Sequence, residues 1–394
     1  MRPPAALHIA VISRTTGMHG VGGLERHTDE LTATLAAMGH QVVLVTTTVP
    51  PAVLTADRPE QVICLPGTRP RRYTRAWLTN LLPILRELHG AEPFDLIVSQ
   101  STAAHSALNW ILGTRVPLVY ILHGSALENA RHLAGRRDFK SALRRIRARR
   151  HWRQNARLIP RVPRVVTISR RLETSWREAL DLGPDQLITL ENPVAEGFRP
   201  LAAPARQLLR AELGWPSETM AVGYAGRIDP EKGISVLLDW IRTPAAVGCK
   251  LAIAGAGSPR LVQRIQHAAA AGGAVDFFGR LHGPELVAFY QRLDVFVLPS
   301  AYFEGLPMAM LEAMACGVPV VAYATGGVAE FFRAAQGAGG ILVDPGDVRG
   351  LSRGLQQLRE DPLRRQALGE AAAALTEGRR WPVWVARLLE FALH

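Results

Sequence analysis

Short apolar runs alternate with stretches of helical periodicity along the whole chain, and that alternation is the pattern of a parallel α/β fold. In the first half the strand candidates are LHIAVIS (7–13), QVVLVTTT (41–48), FDLIVSQ (94–100), PLVYILHG (117–124) and RVVTIS (164–169). In the second half they are MAVGYAG (220–226), CKLAIAGAG (249–257), VDFFGRL (275–281), VFVLPS (295–300) and PVVAYATGG (319–327). Runs apolar at nearly every position belong to strands covered on both faces. Between the halves, ENPVAEGFRPLAAP (191–204) is rich in proline and follows neither periodicity, so the domain boundary falls there. With 394 residues, the chain suits two doubly wound domains facing each other. Ligands of such sheets bind beyond the carboxyl ends of the strands, which directs attention to the cleft between the halves.

No apolar run approaches the length needed to cross a bilayer, and MRPPAALHIAVIS reads as a first strand rather than a leader, so a cytoplasmic chain is expected. Cys64, Cys249 and Cys316 lack disulfide or metal-ligand spacing and are expected as buried filler. Thirteen basic residues and the single acid Asp138 lie within 131–164, which accounts for the whole formal charge of +12. Such a block suits an anionic partner: membrane headgroups, nucleic acid or a phosphorylated acceptor. Phe139, Leu143 and Ile146 fit an amphipathic helix on the inner face of a membrane, and a merely solvated helix pair is the alternative. No nucleic-acid motif accompanies the arginines, and few aromatics do, so no nucleic-acid partner is expected.

The first strand runs into RTTGMHGVGGLERHTDEL (14–31), where Gly20, Gly22 and Gly23 precede a helix starting near Leu24. Backbone amides and the helix dipole at such a place favour an anion, although any one glycine also suits close strand–helix packing. The glycine spacing and a second strand ending TTTV without an acid argue against a nicotinamide enzyme. In the second half, RIDPEKG (227–233) carries Arg227 and Lys232 on one loop. Lysine occurs only at 140, 232 and 250, and a compact ammonium at 232 suits a phosphate oxygen. Surface solubility is the bland reading of that pair. EGLPMAMLEAMACG (304–317) then places Glu304 on a turn and Glu312 within a helix that starts beside Pro307. Two acids spaced along a phosphate-binding helix start suit hydroxyls at either end of a diphosphate, a sugar ring and a ribose. The alternative is a helix-start acid and a solvated one.

These stretches resemble the E-x7-E signature of family 4 of the retaining glycosyltransferases. GGLERHTDELTATLAAMGHQV, ILHG, GRIDPEKG, LAIAGAG, FFGRLHGPELVAFYQRLDVFVLPS and ACGVPVVAYATGG follow in that family's order. The resemblance implies the GT-B fold of two facing Rossmann-like domains. An acceptor-binding domain would span 1–195, with the closing helix 379–394 packing back on it, and a donor-binding domain 196–378. It places His123 beside the donor sugar, with Gly22 and Gly23 near the donor phosphates. Arg227 and Lys232 would hold the diphosphate. Glu304 would take sugar hydroxyls with amides from Gly305 and Leu306, Glu312 the ribose, and the backbone at Arg280 and Leu281 the base. Asn192 is followed by proline where the family often has glycine, a departure at the hinge.

The activity so implied is transfer of a sugar from a nucleoside diphosphate sugar, UDP favoured and GDP the alternative, to a glycan, glycolipid or small-molecule acceptor. The anomeric configuration would be kept. No cofactor is expected, and no D-x-D pair occurs, so no metal is expected either. A sugar-nucleotide epimerase or hydrolase, or a non-catalytic sugar-nucleotide binder, would share the fold.

Overall fold

The computed structural model describes residues 6–20, 22–50, 54, 58–70, 72–125, 127–128 and 139–394. The chain divides into two compact units, Met1–Glu191 with Trp381–His394, and Asn192–Arg380. The breaks at 191/192 and 380/381 stand against the 195/196 and 378/379 read from sequence.

The first unit is built on a parallel sheet of seven strands: β1 (His8–Ile12), β2 (Gln41–Thr47), β3 (Gln61–Leu65), β4 (Leu96–Gln100), β5 (Leu118–Leu122), β6 (Arg164–Thr167) and β7 (Leu187–Thr189). Its order is β3-β2-β1-β4-β5-β6-β7. Ile9 pairs with Val42 on one side and Leu96 on the other, so β1 lies inside the sheet and all five of its residues are buried. The order reverses between β1 and β4, which makes their carboxyl ends a topological switch point. Residues 13–20, the segment after Gln100 and His123 all leave the sheet at this end.

The second unit repeats the plan with β8 (Met220–Ile228), β9 (Cys249–Gly257), β10 (Val275–Gly279), β11 (Val295–Leu298), β12 (Val320–Tyr323) and β13 (Gly340–Val343), in the order β10-β9-β8-β11-β12-β13. Its switch point lies between β8 and β11. Val222, Leu251, Ile253, Val295, Val297 and Val321 are fully buried and pack with Leu351, Leu355 and Leu358 of the helix Val348–Glu360. Several helices begin on a side chain that accepts a first-turn amide: Thr74 from Trp77, Ser169 from Leu172, Asp347 from Gly350 and Asp361 from Arg364.

The strands β3, β7 and β13 are missing from the sequence reading. All three are edge strands and only partly buried, so they lack the continuous apolar run that marks a central strand. Cys249 and Cys316 are buried, whereas Cys64 in β3 is only half-buried, which corrects the expectation for that residue.

The helix Trp381–Leu393 belongs to the first unit. Trp384 donates its indole N–H to the Leu190 carbonyl at 3.3 Å, and Arg164 donates to that of Phe391 at 3.0 Å. In the second unit Asp294, just before β11, accepts from Arg206, Arg210 and the Ala221 amide, each at 2.7 Å. Among the described residues, no helix is long and apolar enough to cross a membrane.

The basic block lies partly outside the described residues, which resume at 139. The helix Phe139–Leu158 carries most of the rest, with Arg161 in the turn after it and Arg164 in β6, and the side chains of 139–145 and 147 are also outside the described set. Ile146 is half-exposed, and Arg149, Arg150, Arg153 and Arg157 are exposed.

Candidate functional site

At the switch point of the first unit, the loop after β1 is tied to the helix it feeds. Thr15 donates its hydroxyl to Glu25 at 3.1 Å, and the Gly17 amide donates to Asp29 at 2.9 Å. Gly22 directly precedes the helix Gly23–Ala37, and a Cβ there would fall 2.1 Å from the buried Glu25 carboxylate. A Cβ on Gly23 would meet nothing, so of the two glycines only Gly22 lies close against a neighbour, the end of the Glu25 side chain.

His123 stands one residue past β5. Its Nε2 lies 2.6 Å from Gln100 Oε1, an acceptor, so Nε2 carries the proton and Nδ1 the lone pair. Nδ1 has no hydrogen-bond partner among the described residues. The Gln100 amide donates in turn to His27 Nδ1 at 3.4 Å, and the His27 and His123 rings meet edge to face at 4.6 Å. Trp381 and Trp384 of the closing helix enclose His27 with ring centroids at 4.9 and 5.1 Å. Burial holds His123 down to about 3, and burial, then the neighbouring His123, pushes His27 well below the usual imidazole value. Both rings are neutral. Gln100 closes a strand in the sequence reading but has no role there.

This arrangement makes the first unit sensitive to acid. Above pH 6.5 neither the folded nor the unfolded state protonates these rings; below it, the unfolded chain binds protons that the folded chain refuses. Stability then falls by about 1.4 kcal/mol per pH unit for each such histidine. His40, His105 and His151, also lowered by burial, act in the same direction. Asp29, raised by burial to about 6, opposes them between about pH 6 and 4. Calorimetry should show the first unit losing stability steeply between pH 6.5 and 5 while the second barely changes. His123→Gln should flatten that loss, and equal slopes for both units would refute the assignment.

In the second unit the predicted residues gather at the carboxyl ends of neighbouring strands. Arg227 lies near the end of β8, its guanidinium 3.8 Å from Asp229. Asp229 accepts from the Glu231 amide at 3.1 Å and so starts the turn Pro230–Lys232. Gly233 ends it at φ 76°, with the Pro299 carbonyl 2.0 Å from where a Cβ would be, so both backbone angle and space demand glycine. The turn delivers Lys232 to Glu304, across 72 residues of sequence, with Nζ donating to Oε1 at 2.5 Å. The two side chains are 20% and 10% exposed, so the pair is largely shielded from water.

Glu304 lies on the turn after β11, where the Gly327 amide donates to its carbonyl at 2.9 Å. Asn192 donates to the Leu306 carbonyl at 2.7 Å and fixes the backbone of Gly305 and Leu306 from one side. The helix Met308–Ala315 follows, with Pro307 just before its first turn. Glu312 is 1% exposed and accepts from the Tyr290 hydroxyl at 3.0 Å, so the alternative of a solvated acid fails. Arg280 and Leu281 follow β10, separated from β8 by β9. The structure thus joins Lys232 to Glu304 directly, leaves Arg227 on Asp229, and seats Glu312 on Tyr290. Tyr290 and Asn192 have no site role in the sequence reading. Tyr290 sits 22 residues before Glu312 on another helix, a separation that no local pattern reports.

Residues 21–196 match the model Glycosyltransferase Family 4, and residues 205–375 match Glycosyl transferases group 1. The D-inositol 3-phosphate glycosyltransferase of Arthrobacter sp. (strain FB24) is 28% identical over 95% of this chain and 90% of its own length. Among solved structures, sucrose-phosphate synthase from Thermosynechococcus elongatus superposes with a TM-score of 0.77 at 21% identity, over 98% of both chains. An Anabaena protein crystallised with UDP-glucose gives 0.75 at 19% identity, over 98% of this chain and 99% of that one. Successive glycosyltransferase models covering both units, on two parallel sheets of this topology, place the chain among the family 4 glycosyltransferases of the GT-B fold.

Proposed function

We propose that the chain moves a hexosyl group from a nucleoside diphosphate sugar, a UDP-sugar before a GDP-sugar, to an acceptor hydroxyl with retention and without a metal. The observation that carries this reading is Lys232, held on Glu304 at 2.5 Å at the carboxyl end of the second sheet, with Arg227 nearby in sequence on β8. In the absence of donor each cation rests on a carboxylate of its own unit. A diphosphate would take over Lys232 and Arg227, and Glu304 would turn to the hydroxyls of the sugar. Glu312, oriented by Tyr290, would receive the ribose hydroxyls, and the backbone at Arg280 and Leu281 the base. Amides of Gly305 and Leu306 would meet the phosphates from the second unit, with Gly22 and Gly23 on the first. His123, neutral, would accept a sugar hydroxyl at Nδ1.

In the reaction the bond between the anomeric carbon and the diphosphate oxygen breaks. The acceptor oxygen forms its bond on the same face, and the departing phosphate takes the acceptor proton. Negative charge grows on the diphosphate as this happens, so the two cations and the amides act most strongly in the transition state. UDP finds support in the Anabaena neighbour crystallised with UDP-glucose, and metal independence in the lack of a D-x-D pair.

A thermal-shift panel of nucleoside diphosphates and their sugars tests the reading. A ligand at a hundred times its dissociation constant stabilises by about 2.7 kcal/mol. The matching donor should raise the melting temperature in the presence of EDTA, and NMR of the product should show the donor's anomeric configuration. Indifference to every sugar nucleotide, or donor consumption that no acceptor increases, would refute it.

A further inference from the structure

Gln100 closes β4 and faces Ile121 of β5 across the parallel ladder, with His123 two residues further on, so the three side chains belong to one face of the sheet. The Gln100 amide is buried, and each of its two unlike ends meets an imidazole. Oε1 lies 2.6 Å from His123 Nε2, and the amide nitrogen lies 3.4 Å from His27 Nδ1. We propose that Gln100 is a positioning residue: it fixes the proton of His123 on Nε2 and so keeps a lone pair at Nδ1 for a hydroxyl of the donor sugar. In naming that hydroxyl, the proposal rests on the glycosyltransferase reading; the tautomer itself does not.

A neutral imidazole has one proton and two nitrogens to hold it, and the neighbours decide which one does. An amide oxygen only accepts, and an amide N–H only donates. The reverse setting of the Gln100 amide would press an N–H onto His123 Nε2 at the 2.6 Å contact, which suits an oxygen better, and would drive the ring proton to Nδ1. His27 holds the amide against that reversal. It is fully buried on the helix Gly23–Ala37, and with Nδ1 accepting from Gln100 its proton sits on Nε2. That nitrogen is buried without a hydrogen-bond acceptor, and Trp381 and Trp384 cross the ring at 69° and 81°. Edge-to-face packing sets the positive edge of one ring on the face of another, and an N–H suits that edge. Trp384 is in turn tied to the Leu190 carbonyl. The closing helix thus reaches His123 through two side chains.

His123 Nδ1 differs from His27 Nε2: it has no partner among the described residues, yet it is not shut away from solvent. As the bond to the diphosphate breaks, positive charge gathers around the anomeric carbon of the sugar. A lone pair beside the sugar favours that charge, whereas an N–H or an imidazolium in the same place opposes it. The tautomer therefore acts on the rate more than on binding.

Long-range proton–nitrogen NMR of the full chain, labelled at histidine, should show His123 protonated on Nε2 and bare on Nδ1. Gln100→Leu removes both ends of the amide and leaves Nε2–H without an acceptor, so the proton should move to Nδ1. With the preferred sugar nucleotide, kcat should then fall about tenfold, the size of one hydrogen bond, with KM nearly unchanged. The thermal shift with UDP alone should match wild type, which shows a folded variant. Gln100→Glu keeps an oxygen against Nε2–H and should restore the tautomer and most of the rate at about pH 8. Its carboxylate would raise His123 from the low value set by burial, so this variant should lose activity as pH falls toward about 6.5, an acid limb absent from wild type. A residue that only filled space would tolerate leucine better than a buried carboxylate, the opposite order. His123 protonated on Nδ1 in wild type, an unmoved proton in Gln100→Leu, or a moved proton with kcat unchanged would each overturn the proposal. Should Gln100→Leu fail to fold, Gln100→Glu decides, and an activity without the acid limb refutes it. If the proton behaves as expected but no sugar nucleotide shifts the melting of the wild-type chain, the hold of Gln100 on His123 stands and only the transferase reading falls.

Discussion

Lys232→Met should lower kcat by a factor of about 100 to 1000 with the preferred sugar nucleotide, while the protein stays folded. The magnitude is that of removing one preorganised charge-stabilising donor, about 2.7–4 kcal/mol. Lys232 is aimed by a turn that Asp229 starts and Gly233 ends, so its ammonium is already positioned when charge develops on the departing diphosphate. Removal also leaves Glu304, with a side chain 10% exposed, without its cation, which costs stability as well. The two effects separate in Lys232→Met/Glu304→Gln. The double variant should recover melting temperature but not activity. Lys232→Arg should restore little, because a planar fork is a poor substitute for a point charge on a short turn. Activity within threefold of wild type in Lys232→Met would remove this residue from the reaction.

Asp294→Asn should destabilise the second unit by about 3–5 kcal/mol, the cost of breaking a buried ion pair from one side. One carboxylate joins the helix Ala203–Ala211, through Arg206 and Arg210, to the start of β8, through the Ala221 amide. Arg210 is 5% exposed, and it also donates to the backbone carbonyls of Pro216 and Thr219 and lies over the Trp215 ring. With the charge gone, a guanidinium stays buried without an anion. For a unit of this size each kcal/mol moves the midpoint by about 2–4 °C, so the drop should be about 10 °C. Burial would raise the Asp294 carboxyl, but Arg206 and then Arg210 outweigh it and hold it below its ordinary value. Because the folded value is depressed, the stabilisation is present above about pH 4 and disappears as pH falls through the folded value. The difference between variant and wild type should therefore shrink only in strong acid. A loss under 1 kcal/mol at pH 7 would show that the network is ornamental.

Central strands were legible because burial on both faces forces continuous apolar runs, as in HIAVI and VFVL. The edge strands β3, β7 and β13 were not, since a strand half in water does not need such a run. The loop residues of the second unit were found because their spacing within RIDPEKG and EGLPMAMLEAM is local. What joins them is not local. The Lys232–Glu304 bond spans 72 residues, Asn192 reaches Leu306 over 114, and Gln100 meets His123 over 23. Each partner is an ordinary polar residue in an ordinary place until the sheet order brings it alongside. The basic stretch shows the reverse limit: composition announced an excess of charge, but said nothing of the bond by which Gln154 of that stretch reaches His105, 49 residues earlier.

The closing helix has a consequence for how the protein is made. The second unit is one uninterrupted segment, whereas the first is built from two segments that flank it in sequence. On a ribosome, residues 192–380 can emerge complete and fold while the earlier sheet still lacks Trp381 and Trp384, the rings that enclose His27. The amino-terminal unit, though its sheet is synthesised first, is therefore completed only after the other, and removal of residues 381–394 would spare the second unit and cripple the first.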